Sequence, residues 1–173
     1  MVKAIQFHKP GKPSVLNLEE VALGKPRKGQ VQLRHTAIGL NYIDTYQRSG
    51  LYPLPLPSGL GMEAAGVIEA IGAGVRHLKV GDRVAYGSGA PGAYSEARIM
   101  DAATVVKIPR GIPDEAAAAM MLKGMTVEYL IRRTYRVKRG QTVLFHAAAG
   151  GVGLIAGQWL KALGARAIGT AGG

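Results

Sequence analysis

The chain contains no cysteine. Disulfide bonds, thiolate metal ligands and a cysteine nucleophile are therefore excluded. Aromatic residues are scarce, at 6%, and are not interleaved with cations as a single-strand stacking platform requires. Acidic residues are half as numerous as basic ones, 11 against 22, which leaves a formal charge of +11. Such a balance attracts either nucleic acid or phosphorylated small molecules. The tightest cationic groups, Lys25-Pro26-Arg27-Lys28 and Arg132-Arg133, are short, and solvated surface is the simpler reading of them. No apolar run approaches the roughly 18 residues of a membrane span, and the N-terminal Met1 to Lys9 lacks the apolar core of a signal peptide. A cytoplasmic protein without a membrane segment is expected.

What is present centres on one stretch. Val143 to Phe145 reads as a buried strand, and it runs into the small-residue turn His146-Ala147-Ala148-Ala149-Gly150-Gly151. Val152 to Leu163 then has helical periodicity, with Gly164 as a stop signal. Ala167 to Thr170 reads as a second strand, so the spacing predicts a βαβ unit. Gly150 and Gly151 place no Cβ in the way of a diphosphate, and the helix start offers N–H groups and a positive dipole end. Gly153 permits close packing of helix on strand. One departure from G-x-G-x-x-G is that Ala148 stands at the first glycine. A dinucleotide-binding turn is expected; a glycine-rich turn without ligand is the alternative.

With 173 residues, 47% of them apolar, the chain has room for one large or two small domains. Residues 1 to about 110 read as short strands separated by Pro, Gly and Lys turns: 3–7, 16–21, 30–37, 61–71, 82–86, 94–99 and 105–108. In the third, Val31, Leu33 and His35 share one face. That spacing predicts a compact barrel. From Pro113 the pattern turns helical, over 116–122 and 125–135, with a break expected near Lys123-Gly124. The domain expectation is 1–112, β-rich, and 113–173, linking helices and the first βαβ unit. A doubly wound sheet needs about five or six strands, so the sequence reads as part of a larger protein.

The order of a β-rich domain, linking helices and a glycine turn resembles the medium-chain dehydrogenase/reductase superfamily. Within it, the chain is similar to the zinc-free, zeta-crystallin-like NADPH-dependent quinone oxidoreductases. The residues that carry the likeness are 37–46 (AIGLNYIDTY), 48–53 (RSGLYP), 59–66 (GLGMEAAG), 123–127 (KGMTV) and 146–153. The resemblance implies a partly open GroES-like barrel followed by the beginning of a Rossmann domain, and a homodimer for the full-length protein. Zinc-dependent relatives carry Gly-His-Glu and a cysteine ligand. Here those positions are Gly61-Met62-Glu63 and Asn41. His8, His35, His77 and His146 show no ligand spacing, so no metal is expected.

The resemblance places Asn41 beside nicotinamide and quinone, although Asn followed by Asp44 also fits a helix cap. It implies that Tyr42, Ile43, Asp44, Thr45 and Tyr46 line the cofactor and that Tyr46 and Tyr52 border the quinone. Thr126 and Tyr129 are placed toward the nicotinamide half, Lys123 beside a phosphate or ribose, and Gly150, Gly151 and Val152 on the diphosphate, with Gly172 and Gly173 also at the cofactor. NAD-specific turns put an acid about 20 residues beyond the glycines; 169–173 contains none, which favours NADPH. The expected activity is zinc-independent electron transfer from NADPH to a quinone, with the activity of this chain by itself left open. A zinc-free enoyl or alkenal reductase of the same superfamily and a nucleic-acid-binding protein are the alternatives.

Overall fold

Gln30–Gly39 alternates apolar and polar side chains, and a computed structural model, which describes residues 1–172, makes it the ten-residue strand β3. Strands β1 (Val2–Phe7) and β2 (Asn17–Val21) precede it, and the helix α1 (Tyr42–Ser49) follows. Next come β4 (Ser58–Gly59), β5 (Glu63–Ile71), β6 (Arg83–Tyr86), β7 (Ala97–Asp101) and β8 (Val106–Lys107). Helix α2 (Asp114–Glu128) runs into a π-helical turn, Tyr129–Thr134. Strand β9 (Thr142–Phe145), helix α3 (Gly151–Ala162) and strand β10 (Arg166–Gly169) complete the order. The chain divides into two compact units, Met1–Met121 and Leu122–Gly173.

In the first unit a five-stranded antiparallel sheet, β7-β3-β5-β6-β8, lies beside a three-stranded one, β2-β1-β4. Among the described residues the barrel is not closed: the sheets are joined by a single Ala4–Ser95 bridge outside the named strands. Val31, Leu33, Ile68, Val84 and Tyr86, each no more than 1% exposed, form the centre of the core. Each such side chain contributes roughly 1.5–3 kcal/mol of burial free energy. His35 sits on the same face of β3 and is half-buried. Its Nδ1 is 2.6 Å from the Ser95 carbonyl and its Nε2 2.9 Å from the Tyr86 hydroxyl. A carbonyl only accepts, so Nδ1 carries the proton and Nε2 accepts from Tyr86. Desolvation pulls the His35 pKa down to about 4; the Ser95 bond opposes this and the Arg98 charge adds to it.

Two strands start two or three residues later than their sequence pattern predicts. Extended pairing begins at Glu63, not residue 61, because the Gly61 carbonyl is taken by the N–H groups of Gly92 and Ala93. For the same reason 94–96 is not ladder strand; β7 starts at Ala97.

In the second unit β9 and β10 are parallel, with Arg166 opposite Thr142 and Gly169 opposite Phe145. Helix α3 packs on one face, where Val127, Ile131, Val137, Ala156 and Leu160 form a core with Val143, Phe145 and Trp159. The expected helix break at Lys123-Gly124 does not occur: α2 passes through it, and the irregularity comes after Glu128 as the π-helical turn. A single glycine costs a helix only about 1 kcal/mol, which the fully buried Val127 one turn later can offset. Among the described residues no helix is long and apolar enough to cross a membrane.

Candidate functional site

In the first unit, the residues expected at the site converge on the start of α1. Asn41 is its N-cap, and its backbone N–H donates to Asp44 Oδ2 at 2.9 Å, the carboxylate half of a capping box. The Asn41 side chain also reaches Glu63: Nδ2 donates to Glu63 Oε1 at 2.8 Å. A carboxylate only accepts, so this bond fixes which way the Asn41 amide faces. Glu63 is fully buried. Its carboxylate lies against Gly39, where an added Cβ would overlap it, so β3 needs glycine at that point.

Asp44 is buried as well, and its Oδ2 also accepts from the Tyr94 hydroxyl at 2.7 Å. Burial, then that bond and the charges of Asp44 and Glu63, push the Tyr94 phenol above its ordinary value. Tyr94 therefore acts as a donor throughout the neutral range. Asp44 thus braces the start of α1, and the half-buried Thr45 bonds back to its own helix, its hydroxyl donating to the Tyr42 carbonyl at 2.7 Å. Ile43 is half-buried.

The tyrosines form the accessible part. Tyr42 and Tyr46 meet edge to face with centroids 5.1 Å apart, and Tyr46 and Tyr52 lie 5.3 Å apart. Helical i, i+4 spacing brings the first pair together, and the Tyr52 N–H bonded to the Tyr46 carbonyl brings in the third. Tyr42 is 73% exposed and Tyr52 51%, an apolar-faced ledge of three rings on which a flat ring can stack.

In the second unit the glycine turn joins β9 to α3. Gly150 is the N-cap of α3 and provides no side-chain cap, and the first turn holds no acid. The N–H groups of Gly151, Val152 and Gly153 therefore lack an acceptor from a capping side chain, and the helix dipole adds positive potential there. A cavity of about 500 Å³ opens in front of them, lined by His146, Ala147, Gly150, Gly151 and Val152 among others. The Lys123 stem crosses Gly151, where a Cβ would come within 2.9 Å of its Cδ and Cε. Gly153 faces the turn itself: a Cβ there would lie 2.5 Å from Ala148 Cα and 2.6 Å from the Ala147 carbonyl. Ala147 takes a left-handed backbone conformation, φ 54°, which costs a non-glycine residue roughly 1–2 kcal/mol. Thr170 holds the turn down, its carbonyl accepting from the Ala148 N–H at 2.8 Å.

The remaining expected residues are less engaged. Thr126 donates its hydroxyl to the Leu122 carbonyl of its own helix at 2.8 Å, and Tyr129, 48% exposed, opens the π-helical turn. Gly172 is exposed, and Gly173 lies outside the described residues. Glu63, named above only within Gly61-Met62-Glu63, and Tyr94 are the site residues to which the sequence assigned no role. The signal for Glu63 was a charge near the start of the apolar run 61–71; for Tyr94 there was none. Among the described residues no group of three or more His, Asp or Glu converges as a metal site.

Residues 27–110 match the alcohol dehydrogenase GroES-like domain. The chain is 56% identical over 171 residues to a quinone oxidoreductase of Pseudomonas aeruginosa, covering 98% of this chain and 53% of that one. It is 47% identical over 177 residues to a 2-haloacrylate reductase of a Burkholderia species, with 98% and 53% covered. The solved structure of Escherichia coli quinone oxidoreductase complexed with NADPH superimposes with a TM-score of 0.95 at 54% identity, covering 99% of this chain and 53% of that one. The chain thus spans about half the length of the relatives it matches. With a GroES-like first unit and a glycine turn opening a βαβ second unit, the chain is similar along nearly its whole length to the quinone oxidoreductases.

Proposed function

We propose that this chain carries the cofactor- and quinone-binding residues of a zinc-independent NADPH:quinone oxidoreductase. The observation that supports it most is the start of α3, which has neither a capping side chain nor an acid and faces a cavity roomy enough for a diphosphate. In the second unit, Gly150, Gly151 and Val152 hold the diphosphate through backbone N–H groups, with Lys123 beside them and Thr126, Tyr129, Gly172 and Gly173 as further cofactor neighbours. Bound NADPH supplies the electrons from C4 of its nicotinamide. In the first unit, Tyr42 to Tyr46 line the cofactor, Asn41 presents its fixed amide to it, and Tyr46 and Tyr52 stack the quinone. Orientation and exclusion of water are the protein's part of the reaction. We assign the catalytic role to the GroES-like residues 1–112 and NADPH binding to the linking helices and first βαβ unit, 113–173, in a cytoplasmic enzyme that is a homodimer at full length.

Titration of the chain with NADPH and NADH, followed by nicotinamide fluorescence, tests this reading. Saturable binding with NADPH preferred is expected, because 166–172 offers no carboxylate to a ribose 2′-OH and would not repel a 2′-phosphate. A folded chain that binds neither would count against it. The haloacrylate reductase likeness favours a second reading, reduction of an activated alkene. NADPH consumption on a quinone compared with that on an α,β-unsaturated acid separates the two.

A further inference from the structure

Residues 122–173 carry eight Lys and Arg against a single carboxylate, Glu128, which is bonded to Arg133 at 2.9 Å. Six exposed cations remain: Arg132, Arg136, Lys138, Arg139, Lys161 and Arg166. None of them forms an ion pair among the described residues. The topology gathers them at one end of the unit. Because β9 and β10 are parallel, Thr142 and Arg166 start side by side, and α3 runs back to finish there with Lys161. Gly140 N–H donates to the Gly164 carbonyl, Arg166 N–H to that of Gln141, and the Arg139 stem lies over Gly164. Gln141 Nε2 donates to the Tyr135 hydroxyl at 3.0 Å, which ties in the residues preceding β9. The glycine turn is at the other end of the same elements; the twelve residues of α3 put it about 18 Å away.

Cations near helix C-termini complement the dipole, which accounts for Arg132 and Lys161. It does not account for Arg136, Lys138 and Arg139 in the connecting loop or for Arg166 at a strand start. We propose that this cationic pole is a docking surface for an anionic lipid bilayer. Guanidinium forks pair with phosphate oxygens bidentately, and clustered Lys and Arg bind acidic headgroups additively. Tyr135, 59% exposed among the cations, has the apolar ring and polar tip that settle at headgroup depth. A single-stranded nucleic acid would instead need several rings for successive bases, and the pole presents one. The choice of a lipid surface also rests on the quinone reading, since apolar quinones partition into bilayers.

The test is co-sedimentation of the 173-residue chain with phosphatidylcholine vesicles, with and without phosphatidylglycerol, near 0.15 M salt. Two charge-reversed variants of equal net charge are compared: R136E/K138E/R139E at the pole and K25E/R27E/K28E in the first unit. Binding confined to the acidic vesicles is expected. Reversal at the pole should lower it by at least roughly a hundredfold, while the first-unit variant stays close to the parent. Should the reversed pole fail to fold by circular dichroism, R136Q/K138Q/R139Q, which only neutralises, serves with an expected loss of roughly a hundredfold. Equal losses in both reversed variants, equal binding to neutral vesicles, no vesicle binding, or displacement from vesicles by an RNA homopolymer bound more tightly through the same three residues would each overturn the proposal. Vesicle binding needs neither cofactor nor quinone. A chain that binds acidic vesicles through the pole but neither NADPH nor quinone therefore upholds the pole and fails the quinone reading, and the reverse result does the opposite.

Discussion

His35 makes stability depend on pH between about 4 and 6.5. In the folded chain its pKa is held down at about 4; in the unfolded chain it returns to 6.5. Between these values the unfolded state binds more protons, so the contribution of neutral His35 is intact above pH 6.5, falls with pH, and is fully lost below about 4. A shift of this size corresponds to roughly 3 kcal/mol in all, with about 2 kcal/mol already lost at pH 5. The geometry explains why protonation is resisted: the ring is desolvated, Nε2 is filled by the Tyr86 O–H, and Arg98 lies 5.3 Å over the Tyr86 ring. Asp82 and Asp114 are also stabilising, held low first by bonds from Lys107 and Thr36, but their contribution is lost only as pH falls below 3.8. Urea denaturation of the parent and His35→Asn at pH 7.5, 6 and 5 isolates the effect. The Asn amide can still donate toward Ser95 but cannot titrate. At pH 7.5 the variant should be less stable by about 1–2 kcal/mol, for the unpaired Tyr86 hydroxyl, and the gap should close toward pH 5. Parallel curves for the two proteins would refute the reasoning.

Four further outcomes follow from the sites. Glu63→Ala leaves the buried Asn41 Nδ2 without its acceptor and opens a cavity, a loss of about 2–4 kcal/mol by urea denaturation; a loss under about 1 kcal/mol would mean that water replaces the carboxylate. Gly153→Ala forces a Cβ into the Ala147–Ala148 backbone, costing roughly 1–3 kcal/mol and weakening NADPH in the same titration; an unchanged melting temperature would show that the turn yields freely. Ala147→Gly relieves the left-handed backbone and should add about 0.5–1 kcal/mol, read as a higher Tm. Gly150→Asp supplies the missing cap, so Tm should hold or rise while NADPH binding falls by more than about tenfold through repulsion of the diphosphate; retained affinity would place the phosphates elsewhere.

How much of this could be read in advance depended on the range of the interactions. The glycine turn was legible because its parts are consecutive: strand, small residues, helix and Gly164 stop each speak through local chemistry. The α1 start was legible for the same reason, Asn41 and Asp44 being three residues apart. The partners that define the first-unit site are not local. Glu63 is 22 residues from Asn41, and Tyr94 is 50 from Asp44. The alternation of β3 put His35 on the core face, but its neutral state comes from Ser95 and Tyr86, 60 and 51 residues away. Lys123-Gly124 failed in the other direction. There local propensity favoured a break, and the buried Val127 favoured continuing the helix.

The three α-helices begin differently, and the difference separates structure from function. Helix α1 has Asp44 in its first turn, bonded back to its own cap, and α2 has Asp114 and Glu115. Both supply from their own chain the negative charge that a helix N-terminus favours. Helix α3 supplies none, and its cap is Gly150. Seen only as folding, this is an omission worth a few tenths of a kcal/mol relative to serine or asparagine. The same turn also keeps Ala147 in a strained conformation and leaves no room for a Cβ at Gly153. Two of these local choices, the glycine cap and the left-handed Ala147, disfavour the fold, and the glycine cap leaves the first N–H groups of α3 open to an anion from outside. Stability alone would remove both by single substitutions, and a phosphate-bearing ligand is what makes them consistent with one another.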